Sequence, residues 1–358
     1  MHRARRGHQP SVPSTTREWG AMIISEEWRQ RYENTIGNQT RFYQGELVTE
    51  GLLYGIMFFN TEIVTTLRQN GINISNVAVD GTFQCLPNHP TDLRQLLTSF
   101  PVAYACLTRH TQAAYVCVMR YIFSLELPYS HEVQVITDFE TGLLNAIRTV
   151  FPEWHQVGCS FHFNQAVLKH THQIGLRNII RTNVTSRNIV RLLLALPYLP
   201  ANGNAYSNVR GFTISDGLMM IRAIAIQQQV FEELRPVFNY FDRYWMGVVG
   251  PERFSVHGSD HRKNNFVESF HAYLLGYLGV HPPLWTFYDL IRGVENITRL
   301  ELSQTLKGQQ FWIGLNIVLR TRPSHVLQPA SQQNMFDVSF NEESENIDSE
   351  GEPVIEGR

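Results

Sequence analysis

Between residues 76 and 158 the chain carries five short apolar runs, and what joins them changes character partway along. Asn76–Phe83, Arg94–Thr98 and Val102–Leu107 are joined by short connections, the second a Ser99-Phe100-Pro101 turn. That spacing predicts an antiparallel meander. Val133–Thr137 and Gln156–Gly158 are each reached across a helical pattern. The first, Gln112–Leu125, is stopped by Pro128. The second, Glu140–Val150, lines Leu143, Leu144, Ile147, Val150 and Phe151 along one face. Strands alternating with helices call for parallel crossovers. The expected fold is therefore α/β, a mixed sheet with flanking helices, in which pairing of the first and fourth strands makes Asp80 and Asp138 neighbours.

Outside this block the pattern is helical. A helix is expected over Leu47–Gln69, ended by Asn70-Gly71, and another from about Phe161. RNIVRLLLALPYLP, DGLMMIRAIAIQQQVFEEL and PVFNYFDRYW all have helix-like apolar spacing, so 175–262 reads as a helical insertion. The expected organisation is a basic disordered leader (1–20), an N-terminal helical segment (21–70), the first part of the core (71–174), the insertion (175–262), C-terminal helices completing the core (263–325) and an acidic disordered tail (326–358).

The formal net charge is −2, but its distribution is uneven. Eight acids and one base fall between Asp337 and Arg358, leaving 24 acids against 29 bases elsewhere. A mildly basic body permits contact with nucleic acid. No apolar stretch approaches membrane length, and MHRARRGHQPSVPSTTR has no hydrophobic signal region, so neither a membrane nor secretion is expected. The arginines of that leader suit nuclear import, with the cytoplasm as the alternative location. Cys85, Cys106, Cys117 and Cys159 lack the paired spacing of a zinc finger.

Three acids stand in settings that point to chemistry: Asp80 in VAVDGTF, Asp138 in VQVITDFE and Glu268 in NNFVESFH. A carboxylate directly after three apolar strand residues needs solvation, a partner or a metal; Asp before Gly is equally a turn starter. Asp138 lies at a strand-to-helix junction, where Thr137-x-x-Glu140 also reads as a capping box. Glu268 falls on the helix side opposite Phe266, Phe270, Tyr273 and Tyr277, close to Asn264 and His271, which a solvated face would also give. Convergence of the three would suit hard divalent cations. Cys159-x-x-His162 has the spacing of half a zinc site, with His170 and His172 as conceivable partners, or else a structural role with Cys159 buried.

Taken in order, DGTF, DFE, FPEWHQVGCSFHFNQAV and HRKNNFVESFH resemble the transposase domain of Mutator-like elements (MULEs), DDE/D recombinases with an RNase H-like fold. The resemblance runs from about Asn60 to Thr298. It implies that Asp80, Asp138 and Glu268 are the catalytic, metal-holding acids, that the family's C-x-x-H pair is Cys159 and His162, and that Arg262, Lys263, Asn264, Asn265 and His271 support the site or touch DNA. It further implies two Mg²⁺ or Mn²⁺ ions and an insertion before the last catalytic Glu. The implied partner is double-stranded DNA, both transposon terminal inverted repeats and target, with a homo-oligomer allowed. The alternative is a domesticated or decayed copy that binds DNA or protein without catalysis; an unrelated nuclease of the same fold is a third.

Overall fold

The computed structural model describes residues 9–70, 73–82, 85–100, 103–202, 211–259, 275–276 and 279–305. Its centre is a seven-stranded mixed sheet in the order β1-β2-β5-β4-β3-β6-β7. The strands are β1 (Tyr43–Thr49), β2 (Leu52–Phe59), β3 (Ile74–Thr82), β4 (Gln95–Phe100), β5 (Ala103–Leu107), β6 (Tyr129–Thr137) and β7 (His155–Gly158). β3, β4 and β5 form the expected antiparallel meander. β6 pairs with β3, and β7 with β6, both parallel. The crossovers are α4 (Gln112–Ser124) between β5 and β6 and α5 (Thr141–Val150) between β6 and β7. A mixed sheet with flanking helices, consistent with an RNase H-like α/β fold, is what the alternation of elements predicted.

The N-terminal region corrects the reading. The helix expected over Leu47–Gln69 is two strands and a shorter helix, α3 (Thr61–Gln69), so 21–70 is not a helical segment. β1 and β2 are antiparallel, and β2 adds to the edge of β5. Between them Glu50 and Gly51 adopt φ of 52° and 77°. Two successive positive φ values are what a two-residue hairpin turn of type I′ requires, and Glu is an unusual choice at the first of them. The expected leader over 1–20 is helical at its end: α1 (Thr16–Ile23) is capped by Thr15 and buries Trp19 fully. Trp19 packs on Phe58 and, edge-on, on Tyr288. A second, one-turn helix, α2 (Arg29–Tyr32), follows it.

Both faces of the sheet are covered, which is why its strands read as near-continuous apolar runs. Val77, Val79, Val133 and Val135 face a core shared with α3, α4 and α5. Ile56, Phe58, Tyr104 and Cys106 face α1, α2 and the long helix spanning Leu284–Thr305. The alternation puts Ala78 and Asp80 on this second face.

After β7 the chain enters α6 (Ser160–Gln173), and among the described residues every later element between 174 and 259 is helical. These are α7 (Arg177–Thr182), α8 (Val184–Leu194), a 3₁₀ turn (Leu196–Tyr198), α9 (Ile214–Gln227), α10 (Phe231–Tyr240), a π-helix (Phe241–Val249) and α11 (Pro251–Phe254). Here the helical reading of the sequence holds. The helices share their own core, which reaches back to Phe163 and Val167 of α6. The long C-terminal helix, here α12 (Leu284–Thr305), closes the described chain. Among the described residues no helix is long and apolar enough to cross a membrane. The tail over 326–358 lies outside the described residues.

Candidate active site at the ends of β3 and β6

The parallel ladder between β3 and β6 is in register at Val77↔Val135 and Ala78↔Ile136. Asp80 lies two residues beyond Ala78 on β3, and Asp138 two beyond Ile136, just past the end of β6. Both stand at the carboxyl ends of neighbouring central strands, where open α/β sheets build their sites. Asp80 is 4% exposed, and its Oδ1 accepts the amide of Gly81 at 2.9 Å. A buried ionised carboxylate is costly unless polar groups or a cation meet it.

Asp138 is held differently. Its Oδ1 accepts the Glu140 amide at 3.0 Å, while the Thr137 hydroxyl donates to the Asp138 carbonyl at 2.8 Å. The helix α5 begins at Thr141, its N-cap is Glu140, and no side chain caps it. The Thr137–Glu140 capping box therefore does not form. Asp138 instead braces the loop before the helix. Burial raises its pKa above the ordinary carboxylate range, opposed by the Glu140 amide and by the charge of His162. The same charge effect places His162 close to Asp138.

Phe139 fixes this loop. Its ring packs edge-on against Trp245 of the π-helix at 4.8 Å. It also fills the space over Gly158, where an added Cβ would lie 2.3 Å from the ring. Only glycine admits that close approach between β7 and the loop. The wide π turn also brings Tyr244 near the site: burial, then the Asp138 charge, raises its pKa. π-helical turns are frequent at functional sites.

On the other side of the sheet edge lies a polar network that sequence reasoning missed. The Tyr115 hydroxyl lies 2.5 Å from Glu140 Oε1 and 2.7 Å from Gln95 Oε1. One hydroxyl proton can serve only one of these acceptors. Gln95 is 4% exposed and covers Gly81, the residue after Asp80. A chain of contacts thus runs Gly81–Gln95–Tyr115–Glu140, connecting the backbone beside one aspartate to the loop of the other. Glu140 was visible in the DFE string only as a capping residue. Tyr115 and Gln95 carried no signal, because each is unremarkable in its own element.

Cys159 is fully buried at the start of α6, and its amide donates to the Thr137 carbonyl at 2.8 Å. His170 stacks on Tyr240 at 3.8 Å. Among the described residues no group of three or more His, Cys, Asp or Glu could hold a metal ion. Glu268, with Arg262, Lys263, Asn264, Asn265 and His271, lies outside the described residues. Gln134 of β6 donates to Ser259 Oγ at 2.5 Å.

The donor chemistry fits a hard divalent cation. Two carboxylates at adjoining strand ends supply oxygen ligands only, and a desolvated Asp138 gains from a neighbouring positive charge.

Residues 91–166 match the family model described as the MULE transposase domain. The matched span runs from just before β4 into α6 and contains Gln95, Tyr115, Asp138, Glu140, Cys159 and His162; Asp80 and Glu268 fall outside it. No curated protein matches the chain.

Proposed function

We propose that this chain is a MULE-type DDE transposase domain that cuts DNA at transposon ends and joins the freed 3′-hydroxyl to target DNA. The observation that supports the reading is the Ala78↔Ile136 register, with Asp80 and Asp138 each two residues further along the chain, in a fold and a family match of that kind. Asp80 and Asp138 would hold Mg²⁺ or Mn²⁺, and Glu268 would complete the set. When bound there, such ions supply Lewis acidity and an activated oxygen nucleophile.

The chain's own residues do the positioning. The Gly81 amide aims Asp80, and the Glu140 amide aims Asp138. Phe139, wedged between Gly158 and Trp245, keeps the Asp138 loop from drifting. His162 lends positive charge when protonated and favours the ionised carboxylate at position 138. Double-stranded DNA is the partner, and the nucleus is the place where such a reaction would run.

The test is Mn²⁺-dependent nicking of supercoiled plasmid. Asp80→Asn keeps an Oδ1 acceptor for Gly81, so it should abolish nicking while the unfolding midpoint stays within error. Nicking by the variant at the wild-type rate removes Asp80 from the site, and no nicking by the wild type overturns the catalytic reading and leaves a non-catalytic binding protein.

A further inference from the structure

From Trp154 to Ser215 the chain contains no Asp or Glu, in a protein with 32 acids among 358 residues. The same stretch holds Lys169, Arg177, Arg181, Arg187, Arg191 and Arg210. Surface helices ordinarily set Glu against Lys or Arg one turn apart, and like charges at that spacing weaken a helix. Arg177/Arg181 and Arg187/Arg191 are both like pairs at i, i+4. Local helix stability does not account for the exposed Arg177/Arg181 pair; an anionic counterpart does.

The fold carries most of these charges on three consecutive helices, α6, α7 and α8. On α6 the buried residues are Ser160, Phe163, Val167 and Thr171, while Phe161, Gln165, Lys169 and His172 are exposed on the other side. Their spacings of four, four and three residues make one continuous helix face. That face starts beside His162, at the Asp138 end of the sheet, and its 14 residues extend about 21 Å. At its far end burial, then the charge of Arg177, lowers the His172 pKa, so these two side chains are close. Arg177 and Arg181 are exposed on α7. The Arg187 guanidinium of α8 then donates to the Arg181 carbonyl at 3.0 Å, and Arg191 lies one turn further on.

We propose that Lys169 and the arginines of α7 and α8 form a track for the phosphate backbone of duplex DNA, leading away from the Asp80–Asp138 end of the sheet. The choice of DNA as the anion rests on the function proposed above; the binding itself needs no catalysis. Cations about one helical turn apart can meet a strand that presents a phosphate every ~3.4 Å of its axis. Asn178 and Asn188 on the same helices are exposed neutral donors of the kind that also contact phosphate oxygens. Contacts of this type position DNA without reading its sequence.

The experiment is fluorescence anisotropy of the full chain with a labelled blunt duplex in EDTA, titrated over a range of salt. Arg177→Gln combined with Arg181→Gln should lower the slope of log K against log salt by about 2, since each phosphate contact contributes roughly 0.9. Arg120→Gln, an exposed change on α4, should leave the slope as it is. An unchanged slope in the double variant, with its circular dichroism intact, overturns the track. Polyglutamate that competes as well as duplex, charge for charge, overturns the choice of DNA. Plasmid nicking separates the two proposals: wild-type nicking with an unaltered salt slope sinks the track alone. Binding that weakens as expected, from a chain that never nicks, sinks the catalytic reading alone.

Discussion

The Tyr115 hydroxyl of α4 meets the Glu140 carboxylate at 2.5 Å, and so ties a crossover helix to the loop that carries Asp138. Gln95 on the other side of the same hydroxyl extends the tie to the strand beside Asp80. The two aspartates therefore rest on one polar brace, although neither belongs to it.

Tyr115→Phe removes the hydroxyl and keeps the ring in its apolar setting. It strips a hydrogen-bond partner from the buried Gln95 and the half-buried Glu140, at a cost of about 1–3 kcal/mol. Urea unfolding should show that loss. Mn²⁺-dependent nicking should fall as well, because the Asp138 loop is released. A variant as stable and as active as the wild type would show that the brace does neither.

Gly158→Ala places a methyl group where the Phe139 ring sits, 2.3 Å from its nearest carbon. Either β7 or the loop must move, and the loop is the softer of the two. Overpacking of this kind costs typically about 1–3 kcal/mol. The expected outcome is a drop in nicking larger than the drop in stability predicts, partly restored by Phe139→Leu. Full activity in Gly158→Ala would mean that Asp138 does not depend on the wedge.

Glu295 of α12 is 2% exposed, accepts a hydrogen bond from Asn60, and has Oε2 without a hydrogen-bond partner among the described residues. Burial, outweighing that bond and the charges of Arg299 and Arg292, pushes its pKa up to about 7. A raised carboxyl pKa means that the folded state holds the proton more tightly than the unfolded chain. Its stabilising effect is complete below the unfolded value of about 4.3 and declines as pH rises, being lost above the folded value near 7. Glu295→Gln should remove this decline, so thermal unfolding of the variant and the wild type should diverge between pH 5 and 8, with the variant higher at the alkaline end. Parallel curves would show that Glu295 ionises in the fold as it does in water.

Much of the core was legible because its signals are local. Val77-Ala78-Val79 followed by Asp, and helices between the later runs, fix strand identity and the parallel crossovers through side-chain period and chain reach alone. The β1–β2 hairpin was not legible. Leu52–Phe59 is apolar almost throughout, and such a run suits a buried helix as well as a strand. Its turn uses Glu50 before Gly51 in place of Asn or Asp, the residues that ordinarily announce a type I′ turn.

By itself, the sequence settled the element order of the core, the two aspartates at strand ends and the helical character of the insertion, since each depends on neighbours a few residues away. Only the tertiary structure decided that Ala78 meets Ile136, that Tyr115 and Gln95 brace the site, and that Phe139 is locked against Gly158 and Trp245. Those contacts join residues tens of positions apart. They exist because the sheet register and the packing of the helices bring the partners into one small volume, and no local pattern in the chain encodes that distance.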